Sequence, residues 1–186
     1  MIRFSAHLMR RLRQEQHGSI AVEFAFLAPV LLFILAGVIE IGGATYTRLS
    51  LDARVTAMAE YALLQSAPED QAGATELAET LAGMLQGDAS ETGQAVVNNA
   101  ATAAWTGSAI TSQSGPGDIA NCYCPTLSAD RVIWGRQTSC EAPCASGGTA
   151  GQFVQISAEA HHVTIFPGYA FIEGDMVGTR TVLRLK

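Results

Sequence analysis

The sequence predicts an α+β protein in which one long N-terminal helix, part of it membrane-spanning, precedes short helices and a small antiparallel sheet. Three observations carry this. Ile20 to Ala44 is apolar except for Glu23 and Glu40 and contains no Ser or Thr. Helix-periodic segments occupy the first half of the chain, and β-prone runs separated by Gly, Ser, Thr and Pro occupy the second. Helix first and antiparallel strands afterwards is the α+β order.

At about 1.5 Å per residue, the apolar run reaches about 37 Å, enough to cross a bilayer core of about 30 Å with some tilt. Residues 1–18 form a basic leader holding Arg3, Arg10, Arg11 and Arg13. Only Arg48 and Arg54 follow closely after the run, so the positive-inside bias places the N-terminus in the cytoplasm and the bulk of the chain outside it. The whole chain carries a formal charge of −6, and removing the +3 of residues 1–18 leaves −9. That balance leaves no basic cluster to grip nucleic acid.

Beyond the span the helical pattern continues through Tyr46, Leu49, Val55, Met58, Ala62 and Leu64, broken once between Leu49 and Val55. A single helix from about Ser19 to Gln65 follows, with 19–44 as the transmembrane part and 45–65 as its extension, ended by Ser66-Ala67-Pro68-Glu69-Asp70. Residues 66–186 form the expected exported α+β domain, with a cysteine-rich loop. Its first helix is expected over about Thr75 to Gln86, capped by Thr75, stopped by Gly87 and carrying Leu77, Leu81, Met84 and Leu85 on one face. The alanine-rich stretch from about Glu91 to Trp105 reads as a further helix. Ala109–Ser112 and Ile119–Cys124 are weak strand candidates. Phe153 to Ile165 is a stronger one, turned by Pro167-Gly168. The last strand is expected from Met176 to Leu185, with Val177, Thr179, Thr181, Leu183 and Leu185 on one face.

Cys122, Cys124, Cys140 and Cys144 fall in the part expected outside the cytoplasm, where two disulfides are the default. A bridge from Cys122 to Cys124 across one residue conflicts with ordinary disulfide geometry. Two connectivities survive, and both link the first pair to the second. The competing reading is a tetrahedral zinc site, disfavoured because C-x-C is tighter than the usual C-x2-C knuckle. His161 and His162 are adjacent on a strand and point to opposite faces, so they do not readily chelate one ion together. No Ser/His/Asp set, paired carboxylates or phosphate-cradling glycine loop is legible. The expectation is therefore a non-enzymatic chain with no catalytic residue, cofactor or metal.

The run Gly18-Ser19-Ile20-Ala21-Val22-Glu23-Phe24, with Ala25 to Leu32 and Gly37-Val38-Ile39-Glu40-Ile41-Gly42 behind it, resembles the TadE-like minor pseudopilins of the tight-adherence (Tad/Flp) pilus system. The resemblance covers about residues 18 to 48. It implies a type IV prepilin signal cut by a prepilin peptidase between Gly18 and Ser19, which makes Glu23 the fifth mature residue. It further implies a pilin-like fold, assembly positions at Glu23 and Phe24, and a place at the inner membrane. The implied partners are other Tad pilins and pseudopilins and the inner-membrane pilus assembly machinery, with a role in pilus assembly and surface adherence. Ser19 stands where many type IV pilins have Phe, which leaves N-methylation open. The alternatives are a Sec signal peptide cut at Gly42-Gly43-Ala44, a single-span envelope protein anchoring a disulfide-stabilised binding domain, and a zinc-dependent exported enzyme.

Overall fold

The computed structural model describes residues 17–128, 131–162, 164 and 176–185, and of residues 17–19 the helical backbone alone. Residues 1–16 of the basic leader, the expected strand positions Val163 and Ile165, and the Pro167-Gly168 turn lie outside the described residues. The chain divides into two units, one built on the first helix through Gly43 and the other beginning at Ala44.

Helix α1 runs His17–Leu64 and continues through Pro29. In the second unit Leu51, Val55, Met58 and Ala62 of this helix are all at most 3 % exposed. These recur at spacings of four, three and four, the seam of a one-sided helix. The expected stripe holds at Val55, Met58 and Ala62 and departs from this seam at its two ends. Tyr46, Leu49 and Leu64 are exposed, and Leu51 supplies the position that the sequence pattern lacked between Leu49 and Val55.

Helix α2 spans Gln71–Met84, four residues earlier at its start than expected. Asp70, not Thr75, is its N-cap: the Asp70 carboxylate accepts the Gly73 N–H at 2.8 Å. Thr75 instead lies inside the helix and donates its hydroxyl to the Gln71 carbonyl at 2.9 Å. The helix stops at Met84, with Leu85 as the C-cap, before Gly87 is reached.

The expected third helix is two strands, β1 (Glu91–Val97) and β2 (Ala101–Trp105), paired antiparallel. Asn98 and Asn99 adopt φ of 47° and 55°, the positive values that primed hairpin turns use to match strand twist. The Ala100 N–H closes the turn on the Val97 carbonyl at 2.9 Å. The alanines serve as small strand residues rather than as helix formers: Ala95, Ala101 and Ala103 are fully buried beneath the helices.

Strand β3 (Ile110–Ser114) follows β2, and β4 (Thr126–Ser128) with β5 (Arg131–Ile133) forms a separate two-stranded hairpin. Strand β6 (Phe153–His161) returns to pair with β1, and β7 (Met176–Arg184) pairs with β6. The antiparallel sheet has the order β3-β2-β1-β6-β7. The Ile119–Cys124 candidate is not a strand; only Cys122 and Tyr123 make isolated bridges, to Thr138 and Gly151. Val154, Ile156, Ala158 and Ala160 of β6 alternate into one apolar cluster with the α1 seam and with Leu77, Leu81 and Leu85 of α2. Leu85 lies directly over Gly93, where any side chain would overlap it.

A long excursion joins β3 to β6, and one buried residue fastens its start. Asn98 is fully buried, and its amide Nδ2 donates to the carbonyls of Ile119 at 3.1 Å and Asn121 at 2.7 Å. Its backbone N–H reaches the Phe153 carbonyl at 2.7 Å, and its Oδ1 accepts the Phe153 N–H at 3.4 Å. The same amide thus holds the hairpin turn, the excursion and the start of β6. Gly115 and Gly117 allow the excursion to approach this turn, because a Cβ at either would meet the Asn99 carbonyl within 2.8 Å.

The excursion is crosslinked by Cys122–Cys140 and Cys124–Cys144, with Cα separations of 4.9 and 5.7 Å. This is one of the two connectivities left open by the spacing. Tyr123, between the paired cysteines, is 1 % exposed and meets the edge of Trp134 at 5.7 Å between ring centres.

Two outcomes follow for stability. Asn98→Ala strands buried carbonyls and places alanine at positive φ, so a loss of about 2 to 4 kcal/mol is expected, measured as a lower urea midpoint. Non-reducing peptide mapping should recover Cys122 linked to Cys140 and Cys124 linked to Cys144. Replacing both members of either bridge by serine should lower stability by about 3 kcal/mol.

Candidate functional site

The candidate site is the exposed length of α1. A helix apolar on every side is built for a nonaqueous surrounding. Ile20, Val22, Phe24, Phe26, Leu27, Val30, Leu31, Leu32, Phe33, Ile34, Leu35, Val38, Ile39 and Ile41 are each about half or more exposed, from 48 % at Ile39 to 76 % at Phe26. Each such side chain forgoes about 1.5 to 3 kcal/mol while it stays in water. Among the described residues this is the one helix long and apolar enough to cross a membrane.

The sequence-predicted positions distribute along it in order. Gly18 and Ser19 lie in the first turn of α1, so the expected processing bond is in helical backbone. Glu23 is exposed, and Phe24 beside it is 67 % exposed. Glu40 differs sharply: it is 2 % exposed, a buried carboxylate within an otherwise exposed apolar stretch. Its burial was not legible from the sequence, where Glu23 and Glu40 look alike as single acids in an apolar run.

The remaining candidates are not brought to α1 as one site. The four cysteines are joined in two bridges within the β3–β6 excursion. Among the described residues no three His, Cys, Asp or Glu side chains gather as a metal site would require. His161 is exposed at the end of β6, whereas His162 is buried at 9 % exposure. Arg54 on α1 forms a salt bridge with Glu91 on β1, partly exposed and therefore a modest tie rather than a reactive pair.

Comparison with curated proteins and with solved structures gave no match. A family model described as TadE-like protein matches residues 18–59. The matched segment opens at Gly18, contains Glu23 and Glu40, and closes inside the α1 seam just after Met58. Over residues 18–59, the exposed apolar helix and the start of its buried seam, the chain is similar to TadE-like proteins.

Proposed function

We propose that this chain is a minor pseudopilin of a tight-adherence pilus, made as a precursor and cut by a prepilin peptidase between Gly18 and Ser19. The observation that carries the reading is that the family match at 18–59 falls on a helix whose apolar side chains are exposed all round. In this reading residues 19–44 sit in the inner membrane with the leader in the cytoplasm, and the net-acidic domain from residue 66 is exported. The protein works by association rather than by catalysis: its helix joins those of other pilins and pseudopilins under the inner-membrane assembly machinery. The disulfide-stapled excursion suits an oxidising compartment.

Glu23 has a defined part in this scheme. Near the bilayer centre an ionised carboxylate costs about 2.5 to 3.5 kcal/mol, and less toward the interface. Cleavage creates an α-amine at Ser19, cationic near neutral pH, and pairing it with Glu23 of a neighbouring subunit neutralises both groups and fixes the axial register of two helices.

Processing is tested by N-terminal sequencing of membrane-extracted protein. Ser19 as the first residue is expected, and Gly18→Val should leave the precursor uncut, because a side chain obstructs close approach to the bond. An intact Met1 on the mature protein would instead make the chain a permanent single-span anchor. For Glu23→Ala, membrane insertion should be undiminished while co-purification with partner pilins falls. If that variant assembles and supports adherence like the parent, the carboxylate has no role in register.

A further inference from the structure

Charged and apolar side chains gather in the α+β unit close to the residue where the apolar run of α1 ends. The run stops at Ala44; Tyr46, 76 % exposed, and Arg48, also exposed, follow within about one turn. Arg48 therefore stands about 6 Å past Ala44 along the helix axis, at 1.5 Å per residue. The Cα–Cβ bonds of a helix tilt toward its N-terminus, so the Arg48 side chain leans back toward the run. A cleft of about 590 Å³ is lined by Arg48, by Leu127 of β4, by Glu159 of β6 and by Met176 at the start of β7. Leu127 is 73 % exposed and Met176 45 %, so two large apolar side chains stand in water there. Arg48 and Glu159 are both exposed, and among the described residues neither side chain has a hydrogen bond or ion pair. Arg180 also lines the cleft but already has a partner within the chain.

We propose that this cleft takes the headgroup of a zwitterionic phospholipid and that Leu127 enters the bilayer interface beside it. The polar layer is about 5 to 8 Å thick on each side of the hydrocarbon core, so a residue about 6 Å past the end of a span falls within it or at its rim. That holds whichever way the rest of the run leaves this unit, because Arg48 is tethered four residues from Ala44. Arg48 meets the lipid phosphate, Glu159 meets the cationic amine of the headgroup, and Tyr46 stands at the level where the aromatic rings of spanning helices concentrate. Leu127 and Met176 leave water for the boundary between headgroups and acyl chains. The charges select the lipid class. Residues 44–186 hold seven Lys and Arg against fourteen Asp and Glu, a balance that an anionic surface repels, whereas one exposed cation and one exposed anion in the same cleft match a headgroup carrying both. The tether selects lipid over a soluble partner, because a cleft held about one helical turn from a span meets lipid at high effective concentration. The inference rests on the reading of residues 20–44 as a membrane span, not on the pilus assignment.

The test uses the full oxidised chain in phosphatidylcholine nanodiscs, with nitrobenzoxadiazole on a cysteine introduced at one exposed position at a time and nitroxide-labelled phosphatidylcholine as the quencher. Non-reducing peptide mapping checks that both native bridges are intact in each variant. Ile34→Cys reports the span and Leu127→Cys the cleft, while Leu64→Cys, at a position 85 % exposed and about 30 Å beyond Ala44 along α1, is the water-facing control. With the nitroxide near the top of the acyl chain, fluorescence at position 127 should fall at least about twofold, and that at position 64 should stay unchanged. Arg48→Glu, at an exposed position outside the core, should restore at least about half of the fluorescence lost at position 127, and replacing the lipid by phosphatidylglycerol should do the same. If position 34 is quenched but position 127 is quenched no more than position 64, the headgroup site is overturned and the span stands. Equal quenching at position 127 with and without Arg48→Glu overturns it as well, as does quenching that is as strong in phosphatidylglycerol. Quenching at none of the three positions overturns the span, and the site falls with it.

Discussion

Leu51, Val55, Met58 and Ala62 tie the sheet to α1, and the α+β unit depends on that seam because α2 alone cannot cover five strands. Helix α2 packs over β1, β2 and β3. The seam residues join the same cluster as Val154 and Ile156 of β6 and Leu183 of β7. Burying Leu51, Val55 and Met58 contributes about 1.5 to 3 kcal/mol apiece. The sheet answers with small residues, Ala95, Ala101, Ala103, Ala158 and Ala160, whose short side chains let two helices lie close to one face. From Leu51 to Ala62 the helix is apolar on one side only, which lets it serve as a wall of the core.

How much of this was legible in the sequence follows from the strength of each local signal. The apolar run, β6 and β7 were readable because a long hydrophobic stretch and a strict two-residue alternation are each produced by one structure. The β1–β2 hairpin was misread because alanine favours a helix in isolation but also suits a strand pressed beneath two helices; tertiary packing decided between them. Asn98-Asn99 was the available turn signal, outweighed by the alanines around it. The seam was legible at Val55, Met58 and Ala62 and missed at its start, because Leu49 is as apolar as Leu51 and composition does not say which side of a helix a domain will cover. Cysteine spacing excluded one pairing and left two, since choosing between them requires the path of the excursion. Glu40's burial has the same origin: it is a property of surroundings, not of the residue.

The two acids of α1 show how differently one segment can treat one kind of group. Glu40 is withdrawn from the surface, whereas Glu23 is exposed to whatever lies beside the helix. A carboxylate already enclosed within its own chain adds little to what a neighbour can recognise. An exposed one near the start of an apolar helix makes that helix distinguishable from any other of the same length.

The disulfides bear on the order of events as well as on final stability. Strand β6 pairs with β1 in the centre of the sheet, Val97 opposite Val154, and the whole excursion must be looped out before that register can close. Loop closure grows costlier with the length of free chain, and topologies rich in such distant pairings form slowly. The bridges short-circuit residues 122–144, so the oxidised chain searches with a much shorter tether than the reduced one. Oxidation therefore acts on the timing of the sheet: the reduced chain closes its central strand pair across a longer free loop than the oxidised one.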